Sequence, residues 1–414
     1  MKANFLFTLL FISFITLISC GEDRTHEYLE QTKENQWIYT TMQNVYLWKE
    51  EIKAPAHSQY FTPYSKFFSS LLNKNDKASF LTDGTSTYNY GMRFALMRDP
   101  IAEKPSQVYA LVLFVEPNSA ADIAGIERGM WISAVNKKKL TTSSEKTLQQ
   151  GDAAKLAMEY IEFDNEADRY FWVPNDTIEI SPAAPYDICS IPFNSIYTER
   201  GKNIGYILCN NFDEENFIDK ANDVIENFIA QDVSNIIIDL RYNTGGNIVN
   251  VASFASMLVP KDLAGTPFCT LKDNNETVVA TYNYTEQQFC AGDRKIYFII
   301  GKETKGTAEL LVSSVNASRD MYDVYIIGEA SAGMNLMTEE IISPYGFTIN
   351  PVISVAYSSD GEILATDGIK TDFLFDELEQ KNNIYPLGEK QEYLLYNTLY
   401  IIEYGTSATS HMTN

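Results

Sequence analysis

The apolar positions of the chain change rhythm as it proceeds. Around Trp37 to Trp48 they fall at Ile38, Met42 and Val45, and the pattern repeats at Tyr64, Phe67, Phe68, Leu71 and Leu72. That spacing marks helices with one buried face, so a small helical segment is expected over 37–85. A polar, turn-rich stretch follows, and from Tyr88 onward the apolar runs are short and extended. Residues 108–115 form a strongly apolar strand. Pro117-Asn118-Ser119-Ala120 turns into a short helix that Ala124-Gly125-Ile126 closes, and a further strand is expected at 132–135. An amphipathic stretch at 153–161 and two strands near 170–173 and 177–180 complete a mostly-β region, 86–182.

The second half alternates. Strands are expected at 204–208, 236–240, 296–300 and 324–327, and helices at 217–228, 249–258 and 307–315. The run Ile236-Ile237-Ile238-Asp239-Leu240 lacks the polar alternation of a half-exposed strand, as a strand covered on both sides would. This alternation predicts an α/β core with partly parallel strands over 183–403. No internal repeat and no low-complexity tract is present.

Composition narrows the chemistry. The 414 residues are 45% hydrophobic and 21% charged, an ordinary globular balance that excludes global disorder. Asp and Glu outnumber Lys and Arg by 55 to 32, for a net charge of -23, so no nucleic-acid partner is expected. The three histidines, His26, His57 and His411, form no HExxH. A zinc hydrolase and a Ser-His-Asp enzyme are therefore both disfavoured, and neither a metal nor a cofactor is expected. Cys269 and Cys290 flank a hairpin-like region (277–284 is strand-like), and either a disulfide or two buried thiols would suit them.

The N-terminus carries an export pattern. Lys2 precedes an apolar run over 5–18, shorter than the roughly 20 residues that a membrane span needs. Leu17-Ile18-Ser19-Cys20 resembles the end of a bacterial lipoprotein signal, which implies a signal peptide over 1–19, lipidation of Cys20 and a flexible tether over 20–36. Gly21-Glu22-Asp23 resembles the export tag of Bacteroidetes surface lipoproteins. The implied location is the outer membrane, at its periplasmic face or the cell surface. A disordered tail is expected over 404–414.

Two motifs carry a family resemblance. Val115-Glu116-Pro117-Asn118-Ser119-Ala120-Ala121 through Ala124-Gly125-Ile126-Glu127-Arg128-Gly129-Met130 is similar to the middle of a PDZ domain. Asp239-Leu240-Arg241-Tyr242-Asn243-Thr244-Gly245-Gly246 resembles the signature of the C-terminal processing (tail-specific) serine peptidases, and Asp367-Gly368-Ile369-Lys370-Thr371-Asp372 with Pro386-Leu387-Gly388 fits that family's ending. The resemblance implies a ClpP/crotonase-like α/β peptidase core with a PDZ-like mostly-β domain. It also implies an oxyanion-type turn at Gly245 and Gly246, where glycine lets backbone N–H groups approach a substrate carbonyl. Gly91, Met92, Arg93 and Phe94 stand where a PDZ domain captures peptides, with Arg93 in place of the usual second glycine. The charge of Arg93 would assist carboxylate capture, or its bulk would obstruct it.

The catalytic positions depart from the family. Its serine opens a helix in a Ser-Ala-Ser-Glu-like stretch, and a lysine after the next strand acts as base. Here the stretch is Thr304-Lys305-Gly306-Thr307-Ala308-Glu309, and alignment on Glu309 puts Gly306 at the nucleophile position. After the next strand, Gly328-Glu329-Ala330-Ser331-Ala332-Gly333-Met334-Asn335 puts Met334 at the lysine position. Thr307 with Lys305 is the nearest substitute pair. The loop Gly301-Lys302-Glu303-Thr304-Lys305-Gly306-Thr307 lacks the lysine of a phosphate loop after its second glycine. Three readings follow: a degenerate family member binding extended or C-terminal peptide segments, an active endopeptidase with a rearranged site, or a scaffold subunit of an outer-membrane complex.

Overall fold

A computed structural model describes residues 25–83, 89–103, 107–149, 151–288, 290–292 and 294–405. The expected signal peptide, Cys20 and nearly all of the expected tail lie outside these residues. The described chain forms two compact units, one holding residues up to Leu81 together with Glu340–Val352, the other holding the remainder.

In the first unit the helices Thr25–Val45 and Tyr64–Leu71 accompany a three-stranded sheet of Phe80–Thr82, Thr348–Asn350 and Ile341–Ile342. Two expectations are corrected here. Residues 25–36, expected as tether, are helical. Thr32 and Asn35 sit on the buried face beside Ile38 and Met42, and the Asn35 amide donates to Tyr60 O and Thr62 O at 2.9 and 2.7 Å. Polar residues whose donor groups are hydrogen-bonded to backbone carbonyls hide that face from a hydropathy pattern. The segment 340–352, expected within the peptidase core, belongs to the helical unit, where Trp37 and Tyr64 pack on Phe347.

The second unit contains two principal sheets. The first runs in the order Phe373–Leu374, Val324–Gly328, Lys295–Ile300, Val233–Asp239, Lys202–Leu208 and Phe193–Glu199, parallel except for the last pair. Ile236, Ile238, Ile296 and Phe298 face helices Phe217–Ala230, Ile248–Leu258 and Thr307–Asn316. Ile237, Tyr297 and Ile299 face the opposite way, toward helix Tyr393–Tyr404. Both faces are covered, which accounts for the unbroken apolar run. Tyr404 ends that helix rather than starting a tail, and Gly405 caps it at φ +73°.

The other sheet is antiparallel, in the order Met92–Arg98, Val108–Val115, Trp131–Val135, Ala154–Asp164 and Arg169–Ile180. Strand Val108–Val115 is buried on both sides. Val108, Ala110 and Val112 pack with Ile132, Leu156 and Met158, while Tyr109, Leu111 and Leu113 join the cluster of Ile237 and Ile299. The amphipathic stretch at 153–161 proves to be strand, with Ala154, Leu156 and Met158 buried in alternation. The two strands expected near 170–173 and 177–180 are one, because Pro174 is accommodated opposite Glu159 where the register shifts.

The hairpin of Pro267–Lys272 and Val278–Asn283 forms, but Cys269 and Cys290 are not bonded; all four described cysteines are free thiols. Burial pushes the Cys269 thiol up to about 12, against a backbone hydrogen bond that lowers it.

Candidate active site

The site is built where strand Val233–Asp239 leaves the sheet. Asp239 accepts from the Tyr206 hydroxyl at 2.8 Å and from the Arg241 guanidinium at 2.7 Å. Arg241, 1% exposed, also pairs with Glu392 at 2.6 Å and Glu377 at 3.1 Å. Buried charge is tolerated only with such complete pairing. The next signature residue, Asn243, shapes the turn: its amide donates to Cys209 O at 3.1 Å, and its Oδ1 accepts the Gly245 N–H at 2.8 Å.

Gly245 and Gly246 have φ of +97° and +139°, where side chains are strained. A Cβ on Gly245 would come within 3.1 Å of the Thr307 Oγ1, and one on Gly246 within 2.8 Å of the Asp213 Oδ1. The turn therefore lies directly against the start of helix Thr307–Asn316, and the Thr307 hydroxyl donates to Gly246 O at 3.1 Å. Of the two N–H groups expected to face a substrate carbonyl, that of Gly245 is engaged by Asn243. Among the described residues the N–H groups of Gly246 and Thr307 have no partner.

Gly306 precedes the helix at φ +63°, ψ −125°, a conformation disfavoured for any residue with a side chain. Its N–H donates to Oε2 of Glu309 at 3.0 Å, and the N–H of Met334 donates to the same oxygen at 2.8 Å. Oε1 of Glu309 accepts the Gly333 N–H at 2.7 Å and the Ser331 hydroxyl. Ser331 in turn accepts the Ile369 N–H at 2.7 Å. Glu309, 2% exposed, thus ties the helix start to the loop after strand Val324–Gly328. The structure brings Gly245, Gly246, Gly306, Thr307 and Met334 into one place. Lys305 is different: its side chain is exposed and, among the described residues, makes no hydrogen bond or ion pair.

Gly91, Met92, Arg93 and Phe94 line a groove of about 560 Å³, together with Glu145 and Gln149 of helix Glu145–Gln149, Tyr186, Ile188 and Glu303. Strand Met92–Arg98 ends its sheet, so among the described residues its outer edge is unpaired. The Gly91 N–H is already donated to Asn89 Oδ1 at 2.8 Å. Arg93 pairs with Glu303, on the loop that leads to Gly306, and lies 5.9 Å from the Tyr242 ring. Its charge is therefore directed at Glu303.

Sequence reasoning missed the supporting groups. Asp239, Arg241 and Asn243 sit inside the quoted signature, and a buried strand ending in two charged residues was the available signal. Nothing local marks Arg128 or Glu392, which join the same ionic cluster from distant segments.

A largely parallel sheet with helices on both faces, whose central strand ends in a glycine turn set against a helix N-terminus, is the α/β core that the sequence signature implies. Residues 203–375 match the model described as peptidase family S41, and residues 33–83 match the peptidase S41 N-terminal domain. The two matches span more than half of the chain, and the chain belongs to peptidase family S41. It is similar to a Bacteroides fragilis NCTC 9343 protein assigned to the S41 proteases, at 24% identity and a TM-score of 0.76, covering 90% of this chain and 98% of that one. It is also similar to a photosystem II D1 C-terminal processing protease, at 14% identity and a TM-score of 0.53, covering 84% and 93%. These likenesses show the fold. No curated protein matches the chain.

Proposed function

We propose that this is a lipid-anchored S41-family protein that binds extended polypeptide segments and does not cleave them. One observation carries the reading. The amides of Gly306 and Met334 converge on a single Glu309 oxygen, so the two positions aligned with the family's serine and lysine are adjacent in space. Glycine supplies no nucleophile and a thioether accepts no proton at neutral pH. A slip of alignment at one position would not leave both on one carboxylate.

The binding half rests on the groove. An extended segment would pair with the free edge of strand Met92–Arg98, as peptides add to sheet edges in PDZ-type modules, with helix Glu145–Gln149 as the opposite wall. The engaged Gly91 N–H and the Arg93–Glu303 pair favour an internal segment over a C-terminal carboxylate. The anchor is inferred from Cys20, with the outer membrane as the location.

Incubation of purified protein with an unfolded substrate, read by mass spectrometry, tests the proposal. No product above background is expected. Cleavage abolished by Thr307→Ala or Lys305→Ala would establish the rearranged enzyme instead, for which the unpaired N–H groups of Gly246 and Thr307 would form the oxyanion site.

A further inference from the structure

The polar lining of the groove has an imbalance that its main-chain edge does not explain. Glu116, Glu145 and Glu303 line it against a single cation, Arg93, and Arg93 is bound to Glu303. Glu116 and Glu145 have no ion pair among the described residues. Glu116 is the more constrained of the two, since it is only 6% exposed. Its Oε1 accepts from the Asn210 amide at 2.6 Å, whereas its Oε2 is buried with no hydrogen-bond partner. The Asn210 Oδ1, at the other end of the same contact, is also buried and unpartnered. Two acceptors without a donor thus stand together in the wall behind the groove, and leaving such groups unsatisfied is costly.

Taking the peptide-binding reading as given, we infer that the groove selects extended segments carrying a lysine or arginine side chain, whose cationic head is received by Glu116. An ammonium or guanidinium brings several N–H donors and no acceptor, which is the complement of two orphaned oxygens. In a strand added to the Met92–Arg98 edge, alternate side chains point to the same side, so one basic residue can reach the wall while the backbone stays paired. Burial raises the Glu116 carboxyl above its ordinary range, with the Asn210 hydrogen bond and the Arg93 charge lowering it, and a second cation would act in the same direction as Arg93.

The test uses the full chain and pools of short random peptides with both ends capped, identical except for a fixed central residue. With lysine fixed, affinity is expected to exceed that of the norleucine pool by about tenfold, the worth of a charge-assisted hydrogen bond in a sheltered site. Glu116→Gln should bring the two pools together by weakening the lysine pool alone. Should that variant fold poorly, salt decides on the native chain: the preference is expected to persist at about 0.5 M, where attraction between exposed charges is screened. Binding of both pools without preference, or a preference kept in Glu116→Gln or erased by salt, would overturn the inference and leave the peptide groove standing. Failure of every pool to bind would remove the peptide-binding reading itself.

Discussion

Arg128 and Arg241 hold the same two carboxylates. The Arg128 guanidinium lies 2.8 Å from Glu377 and 3.2 Å from Glu392, and Arg241 lies 3.1 and 2.6 Å from them. Arg128 also donates to Leu113 O at 2.6 Å and Tyr385 O at 2.9 Å. One cluster thereby joins the antiparallel sheet, the signature turn and the C-terminal helix, since the Glu392 side chain also accepts from Leu395 N.

Glu392→Gln should therefore destabilise strongly, by about 3–5 kcal/mol, because two buried guanidinium groups lose a shared counter-charge. Burial alone would raise the Glu392 carboxyl, but the charges of Arg241 and Arg128 with their hydrogen bonds hold it near 2. A depressed folded-state pKa contributes stability above the ordinary carboxyl value of 4.5 and loses it as pH falls toward 2. Urea melts between pH 6 and about 3 should show native stability falling with acid, and a shallower fall in Glu392→Gln; equal slopes would contradict the assignment.

On the proposed reading, Gly306→Ser should show no cleavage above background, since an unassisted hydroxyl is a poor nucleophile. It should also lose about 1–2 kcal/mol of stability from backbone strain at φ +63°. Space is not the obstacle, as an added Cβ would find its nearest neighbour, Thr244 O, at 3.8 Å. Denaturation measurements alongside the cleavage assay separate the two effects. Cleavage gained by a Gly306→Ser, Met334→Lys double variant and by neither single variant would identify these positions as the dyad.

Thr307→Val removes the hydrogen bond to Gly246 O and is expected to cost about 1 kcal/mol while leaving peptide affinity in the groove unchanged. A comparable loss of affinity in binding titrations would mean that peptides reach the helix start.

Cys20→Ala should release the protein from membranes. The measurement is phase partitioning of the expressed protein with mass spectrometry of its N-terminal peptide, and a lipid still present on the variant would contradict the assignment.

The parts of the fold legible in the sequence were those in which burial follows a helical period or leaves an unbroken apolar run. The run 236–240 and the helix bearing Phe217, Ala221, Val224 and Phe228 needed no tertiary knowledge. The helix over 25–36 was hidden because Thr32 and Asn35 bury polar groups, and the 340–352 hairpin because its packing partners, Trp37 and Tyr64, lie far away in sequence. At the site, the glycines of the turn and the identities of residues 306 and 334 can be read from the sequence alone. That Glu309 binds both Gly306 and Met334, and that Arg93 is directed at Glu303, depends on chain segments meeting in space.

The two-sided burial of strand Val108–Val115 also limits how the molecule can be dissected. Cutting out the antiparallel sheet as a fragment would expose Tyr109, Leu111, Leu113 and Trp131 to water and strand Arg128 without its carboxylates. Such a fragment would carry a sticky apolar face in place of an interior one, and would aggregate or pair with itself rather than report the groove's own affinity. The groove is thus a surface of the whole second unit and not a module that can be borrowed.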